Sequence, residues 1–188
     1  PLEPENNKRK WHFIAPNVHD FAWAADPDYL HGTRQVPDGP MLHFLYQPDT
    51  TGHWDRLMDQ TVGAFQIQSG LFGEYPYKQF SVIQGGDGGM EYPMATLITS
   101  GGTYADLLSV TVHESLHNWY YGVLASNEAK YPWMDEGFTT FAQYIVLDSL
   151  KGTGAINPHE RQLAGLTGLH MSGFAEPALI TIIALLVI

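Results

Sequence analysis

The chain has 188 residues, with 20 Asp plus Glu against 9 Lys plus Arg, which gives a formal net charge of −11 at pH 7. Hydrophobic residues make up 44% of the chain and aromatic residues 13%, enough to bury the core of one domain, so extended disorder is excluded. A surface this acidic, without a basic stripe, repels phosphate backbones and argues against nucleic acid as a partner. Because the sequence has no cysteine, a bound transition metal would need His, Asp or Glu as ligands.

The first half of the chain predicts mainly strands. Residues 1–10 are polar and are predicted to form a linker or lead-in, and residues 11–25 are predicted to form two short strands broken by Pro16. Asp, Pro and Gly in residues 26–40 predict a loop. The further predicted elements of this half, in order, are a strand over 41–47, a helix over 54–69 and a strand over 80–84.

The second half predicts helices. A short extended run over residues 95–99 is followed by helical periodicity over 104–121, with Gly122 as the predicted C-terminal cap. A second helix is predicted over 132–151, because it begins at a proline and a glycine follows its end. Since strands come first and helices second, the predicted fold class is α+β.

The last residues of the chain, 177–188, form an uncharged apolar tail. This tail is shorter than the roughly 18 residues needed to cross a bilayer, so we expect no membrane span within this chain. Three interpretations are open: a buried segment, a truncated membrane anchor, or a point where the chain diverges from the rest of its fold.

The helix predicted over residues 104–121 carries an H-E-x-x-H motif, formed by His113, Glu114 and His117. Residues four positions apart lie on one face of a helix, about 5–6 Å apart at Cβ, so two imidazoles can bind one ion. Glu114 lies on the adjacent stripe, within reach of a water molecule at that ion. The motif therefore predicts a zinc site with a carboxylate beside it.

A third candidate ligand, Glu136, lies 19 positions after His117, near the start of the next predicted helix. If the two helices pack antiparallel, Glu136 returns to the two histidines, and the three ligands leave one tetrahedral position open, as in catalytic zinc sites. The alternative is that the histidines are ordinary structural residues and that Glu136 is favoured only by the helix dipole. The other histidines show no ligand spacing and are predicted to be structural: His12, His19, His31, His43, His53, His159 and His170.

These motifs resemble those of the gluzincin metallopeptidases, in particular the aminopeptidase N type. The H-E-x-x-H motif followed after 18 residues by Glu136 is the gluzincin pattern. Residues 88–92 (GGMEY) are similar to the family's G-x-M-E-N signature, and residues 133–138 (WMDEGF) are similar to its W-x-x-E-G-F stretch. The resemblance extends over residues 11–176, which we interpret as a partial metallopeptidase catalytic domain.

The resemblance implies a thermolysin-like α+β fold, in which a mixed β-sheet is followed by the helices that carry the metal site. It implies one zinc ion per chain, bound by His113, His117 and Glu136, with Glu114 as the general base. The candidates nearby in sequence for orienting the imidazoles are Asp135, Asn118, Thr139 and Thr140.

The resemblance also implies a substrate. Glu91 would bind the free α-amino group of a peptide, and Gly88 and Gly89 would line the cleft with backbone groups. A carboxylate can pair with an ammonium group, and holding that group at a fixed distance from the metal would limit cleavage to the first peptide bond. The predicted activity is therefore that of a zinc aminopeptidase acting on peptides with a free N-terminus.

The chain departs from the family at Tyr92, where the signature has Asn. It also offers no residue for the family's oxyanion-stabilising tyrosine, since Tyr144 lies too early, on the helix that carries Glu136. We therefore expect flanking domains in a longer parent protein. Two alternatives are open: a catalytically incomplete zinc-binding module that binds peptide N-termini, and an endopeptidase.

Overall fold

The structure, a computed structural model, describes residues 11–86, 88–99 and 101–151. Within these ranges the chain forms one mixed sheet and α-helices, which confirms the predicted α+β class. The strands are β1 (Leu30–Gln35), β2 (Met41–Tyr46), β3 (Gln79–Gln84), β4 (Gly89–Tyr92) and β5 (Ala95–Ile98). The α-helices are α1 (His53–Phe72), α2 (Tyr104–His117) and α3 (Phe138–Leu150). The predictions for residues 1–10 and 177–188 lie outside the described residues.

The sheet has the strand order β1-β2-β3-β5-β4. Its central strands β2, β3 and β5 are parallel, and α1 connects the first two of them. The outer strands β1 and β4 are antiparallel to their neighbours. Strand β4 therefore lies at the edge of the sheet, as the outer half of a hairpin with β5.

One face of the sheet packs against the helices. Alternate side chains of the central strands point into this core, because successive residues of a strand face opposite sides. The fully buried apolar members from the strands are Leu42, Phe44, Phe80, Val82 and Ile98. Phe65 of α1 lies at the centre of an aromatic cluster, with ring centroids 5.1 Å from Phe80, 5.3 Å from Tyr75 and 5.9 Å from Trp119. This core fixes α1 and α2 against the sheet.

Helix α2 begins at a capping box. The Thr103 hydroxyl accepts a hydrogen bond from the Asp106 backbone N–H, and the Asp106 carboxylate accepts one from the Thr103 backbone N–H. The α-helical geometry ends at His117, sooner than predicted, and the chain continues in π-helical turns over Asn118–Val123. A second π-helical segment, Trp133–Gly137, leads into α3. The two predicted helices are therefore present, each with a π-helical turn next to the candidate site.

Two predictions for the N-terminal region are wrong. Residues 11–25, all of which are described, form no strand, and their large side chains face solvent: Trp11 is 57% exposed and Ile14 82% exposed. The predicted loop over 26–40 contains β1, which pairs along its whole length with β2. Its sequence, LHGTRQ, has no apolar alternation, so tertiary pairing rather than local pattern determines this strand.

The other predicted elements are present and differ from prediction only at their ends, and helix α1 extends beyond the predicted 54–69 at both ends. Strand β4 was not predicted. In the described part of the chain no helix combines the length and the apolar character that a bilayer crossing requires.

Candidate metal centre

The three predicted ligands converge between α2 and the segment that precedes α3. His113 and His117 lie one turn apart on α2, and Glu136 lies in the π-helical segment Trp133–Gly137. His113 Nε2 is 3.0 Å from Glu136 Oε2 and 3.2 Å from His117 Nε2, and His117 Nε2 is 3.7 Å from Glu136 Oε2. The antiparallel return predicted for the second helix therefore brings its carboxylate to both imidazoles.

This spacing fits a tetrahedral ion. Ligand atoms at about 2.0–2.1 Å from zinc lie about 3.3 Å from one another at tetrahedral angles, and the three observed separations bracket that distance. The His117 side chain is almost fully buried, whereas the Glu136 side chain is 53% exposed. The group therefore extends from the protein interior to the surface at Glu136.

Asp135 orients His117. The His117 Nδ1 atom lies 2.6 Å from Asp135 Oδ1, and the Thr139 hydroxyl lies 3.3 Å from the same nitrogen. Burial alone would lower the pKa of His117, but the hydrogen bond to Asp135 and nearby carboxylates raise it overall. A carboxylate at Nδ1 favours the tautomer with the proton on that nitrogen, and in the neutral ring this leaves the lone pair of Nε2 directed toward His113 and Glu136.

Gln143 orients His113. Its Oε1 atom lies 3.1 Å from His113 Nδ1, and its Nε2 atom donates to the backbone oxygen and the hydroxyl of Ser109, each at 2.9 Å. The side-chain amide is thus fixed with its oxygen toward the imidazole. Gln143 was not identified from the sequence. It follows Glu136 by seven residues, or two helical turns, and this spacing places both residues on the same side of a helix.

The other two candidates for orienting the imidazoles do not reach them. The Asn118 side-chain oxygen accepts hydrogen bonds from the Met94 backbone N–H at 3.0 Å and from the Tyr75 hydroxyl at 3.4 Å. Thr140 makes no hydrogen bond to either imidazole among the described residues. Asn118 therefore joins the end of α2 to the turn between β4 and β5.

Glu114 lies in a buried position beside the ligands. The residue is only 5% exposed, and its Oε2 atom has no hydrogen-bond partner among the described residues. Burial raises the pKa of Glu114 to about 7, although the neighbouring His113 and His117 act in the opposite direction. A carboxyl group with this pKa can both accept and release a proton near neutral pH.

Gly89 makes the position of Glu114 possible. A Cβ atom at Gly89 would overlap Oε1 of Glu114 and would come within 2.7 Å of Val110 Cγ2. The backbone of the edge strand β4 therefore packs directly against α2, and only glycine leaves room for the carboxylate.

Gly88 shapes the turn before β4. Its φ of +85° favours glycine, its N–H donates to the Thr99 hydroxyl at 2.7 Å, and its carbonyl accepts from the Thr99 N–H at 2.6 Å. Both of its backbone polar groups are thus used within the protein.

Glu91, on β4, adds a second buried carboxylate. It is 6% exposed, and ligand atoms of Glu91, Glu114 and His117 all lie within 4.8 Å of one another. Burial raises the pKa of Glu91, while the charge of His117 opposes this rise. In contrast, the hydrogen bond from His113 lowers the pKa of Glu136. The site thus combines one ionised carboxylate with two that burial drives toward the neutral form.

The sequence matches no protein-family model. The donor set and its geometry are therefore the basis for assigning a function. Two imidazoles and one carboxylate fit a borderline divalent cation such as zinc, and both imidazoles have the hydrogen-bonded Nδ1 that metal-binding histidines require.

Proposed function

We propose that this chain is the catalytic part of a zinc-dependent aminopeptidase. The observation that carries the proposal is the convergence of His113 Nε2, His117 Nε2 and Glu136 Oε2 within 3.0–3.7 Å, beside the buried carboxylates of Glu91 and Glu114. His113, His117 and Glu136 would hold one zinc ion per chain. When bound, zinc acts as a Lewis acid that polarises a carbonyl group and lowers the pKa of water to about 7.

The proposal includes a thermolysin-like arrangement of the α+β fold. Its support is the way in which the sheet and helices supply the site: the edge strand β4 provides Glu91, α2 provides His113 and His117, and the segment before α3 provides Glu136. Membership of the aminopeptidase N type is part of the same proposal, and it depends on the three ordered motifs.

Glu114 is the general base in this proposal. Its Oε2 atom, which has no partner among the described residues, and its pKa of about 7 suit a group that takes a proton from the attacking water and passes it to the leaving amine. The contact with Gly89 fixes the carboxylate on the sheet side of the ligands. The chain itself thereby supplies the proton transfer that peptide hydrolysis needs.

Glu91 would bind the α-ammonium group of the substrate. A cation beside this buried carboxylate would restore its charged form, and the ion pair would be strong because both groups are shielded from water. A fixed separation between Glu91 and the metal ligands would place the first peptide bond of the substrate at the reacting centre. This geometry favours removal of one N-terminal residue at a time.

The test combines zinc stoichiometry with hydrolysis of aminoacyl-anilides. We expect one zinc ion per chain, lost in His117→Ala, and turnover that falls by about 10²–10⁴ in Glu114→Gln with zinc retained. Glu74→Gln, an exposed carboxylate after α1, is the matched control and should behave as wild type. A chain that binds no zinc at these residues would overturn the proposal.

A second comparison separates the alternatives. Glu91→Gln should raise KM for peptides with a free N-terminus and should leave N-acetylated peptides unaffected. Preference of the wild type for N-acetylated peptides would instead indicate an endopeptidase. Peptide binding without turnover, abolished by Glu91→Ala, would indicate a zinc-binding module that captures N-termini.

A further inference from the structure

The hairpin that carries Glu91 turns in only two residues. Tyr92 of β4 is opposite Ala95 of β5, so the loop consists of Pro93 and Met94 alone. Hairpin loops of this length mostly have a positive φ at their first residue, which a proline cannot adopt. The loop therefore departs from the turn types that hairpins favour, and its conformation sets the direction of β4 relative to β5.

The backbone of Met94 is left-handed. Its φ is +62°, whereas the ring of Pro93 fixes the preceding φ near −65°. This combination matches a type II turn, whose third position is normally glycine or asparagine. A methionine disfavours this conformation because of its Cβ atom, and it fits more easily at the third position of a type I turn, where φ is about −90°. A contact outside the loop must therefore stabilise the type II form.

Asn118 supplies that contact. Type I and type II turns differ by a half rotation of the peptide unit between the two loop residues. The N–H of this peptide belongs to Met94, and it donates to Asn118 Oδ1 at 3.0 Å. In a type I turn the same N–H would point to the opposite side and the hydrogen bond would be lost. The bond therefore stabilises the type II turn selectively.

Both partners of this hydrogen bond are held in place. Asn118 is 1% exposed and begins the π-helical segment after α2, and its Oδ1 also accepts from the Tyr75 hydroxyl at 3.4 Å. On the other side of the loop, the Met94 carbonyl accepts from the Ser81 N–H of β3 at 2.9 Å. The turn is thus bound both to the end of α2 and to a central strand of the sheet.

We propose that Asn118 is a positioning residue for Glu91, which by selecting the type II turn fixes this buried carboxylate relative to His117 and strengthens the preference for a free N-terminal amine. The inference rests on the proposed role of Glu91. Glu91 is three residues before Met94, and Asn118 directly follows His117, so the amine-binding carboxylate and a metal ligand share one support. A misplacement of about 1 Å in such a site can cost about 10²-fold in rate.

The experiment compares two zinc-binding probes on the zinc-loaded chain by titration calorimetry. Leucine hydroxamate has a free amine, and N-acetyl-leucine hydroxamate does not. The ratio of their affinities reports the amine contact and requires no turnover. We expect Asn118→Ala to lower this ratio by roughly tenfold, through weaker binding of leucine hydroxamate, while the affinity for the acetylated probe is unchanged.

A second substitution tests whether the turn conformation is the cause. Met94→Gly should restore the ratio in the Asn118→Ala background, because glycine adopts a positive φ without steric cost. Met94→Ala in that background should not restore it, because alanine disfavours the same conformation as methionine. If Asn118→Ala alone does not fold, the double variant with Met94→Gly carries the test, and a lowered ratio there would overturn the proposal.

Gln68→Ala is the matched control for the loss of a buried amide. Gln68 is fully buried, and its amide donates to the Ser115 hydroxyl of α2 at 2.8 Å, away from the hairpin. This variant should be less stable than wild type but should keep the same ratio of affinities. An equal loss of the ratio in Gln68→Ala, or an unchanged ratio in Asn118→Ala, would contradict the positioning role.

The turn itself can be checked in the wild type by NMR. A strong nuclear Overhauser effect between Pro93 Hα and the Met94 amide proton is expected for a type II turn, and a weak one would overturn the inference. Failure of the proposed function is distinguishable, because it appears in the wild type as absent zinc or as equal affinity for the two probes. Either result would remove the role of Glu91 and this inference with it.

Discussion

His117 and Asp135 are joined inside the protein by a 2.6 Å contact between Nδ1 and Oδ1, with side chains that are 1% and 4% exposed. Their positions differ by 18 residues, and the contact links the end of α2 to the segment before α3. A carboxylate held this way fixes the tautomer and the ring orientation of its histidine. The orientation of the most deeply buried ligand thus depends on a residue next to another ligand, Glu136.

Asp135→Asn should weaken zinc binding by about 10–100-fold, because the amide holds the imidazole less firmly and lowers its basicity. Competition with a chromophoric chelator at fixed pH measures the change. Glu74→Gln removes an exposed carboxylate in the same way and should leave zinc affinity unchanged. Equal affinities of wild type and Asp135→Asn would show that Thr139 alone can orient His117.

Gln143→Ala should also weaken zinc binding, by about tenfold, at the lower end of the effect of such supporting residues, since His113 is less buried than His117. The same chelator competition applies. Gln66→Ala removes a glutamine from the exposed face of α1 and is the matched control. If the two variants bind zinc equally well, Gln143 serves only to pack α3 against Ser109.

Gly89→Ala should displace the Glu114 carboxylate, because the new Cβ would overlap Oε1 and would crowd Val110. We expect a loss of stability of about 1–3 kcal/mol and, in an active enzyme, a larger fall in kcat than in zinc affinity. Urea denaturation and chelator competition measure the two effects separately.

Gly70→Ala is the control for that substitution. A Cβ at Gly70 of α1 would meet no atom within 4 Å, so alanine should stabilise the helix by roughly 0.5–1 kcal/mol. The two glycine variants should therefore change stability in opposite directions. If Gly89→Ala and Gly70→Ala changed the free energy of unfolding in the same direction, the close approach of β4 to α2 would be contradicted.

The metal-free protein should show a pH-dependent effect of Glu114. Its folded-state pKa of about 7 lies above the ordinary value of 4.5, so the folded chain holds this proton more tightly than the unfolded chain. The associated stability is fully present below about pH 4.5 and is lost as the pH rises through about 7. Glu114→Gln, which cannot ionise, should avoid this loss.

Urea denaturation in the presence of a chelator measures this effect. The gain in unfolding free energy from Glu114→Gln should be larger at pH 8 than at pH 5, by about 2 kcal/mol. Glu74→Gln is again the control, and its effect should be the same at both pH values. A pH-independent effect of Glu114→Gln would mean that the carboxyl group titrates normally.

Local sequence patterns predicted the features that depend on a single helix or strand. The spacing of His113 and His117 follows from helical periodicity alone, and the central strands follow from their apolar residues. Strand β1 was missed because its sequence lacks that pattern and its pairing with β2 determines it. Gln143 was missed because its role depends on how α3 packs against α2.

The opposite error occurs in residues 11–25, where two strands were predicted and the structure has none. Their aromatic and branched residues favour strands locally, yet in the structure no neighbouring strand pairs with them and the side chains are exposed. The contact between His31 Nε2 and His43 Nδ1, at 3.0 Å, also depends on register between strands, which no helical or strand period within one segment reveals.

The hydrogen bond from the Met94 N–H to the Asn118 side chain joins the hairpin that carries Glu91 to the end of α2. Met94 lies in the turn of that hairpin, and Asn118 directly follows His117. The hairpin also packs against α2 at Gly89, so the two elements are joined both at the turn and along the edge strand. A change in the length of the hairpin turn would therefore alter the position of Glu91 relative to His117 without replacing either residue.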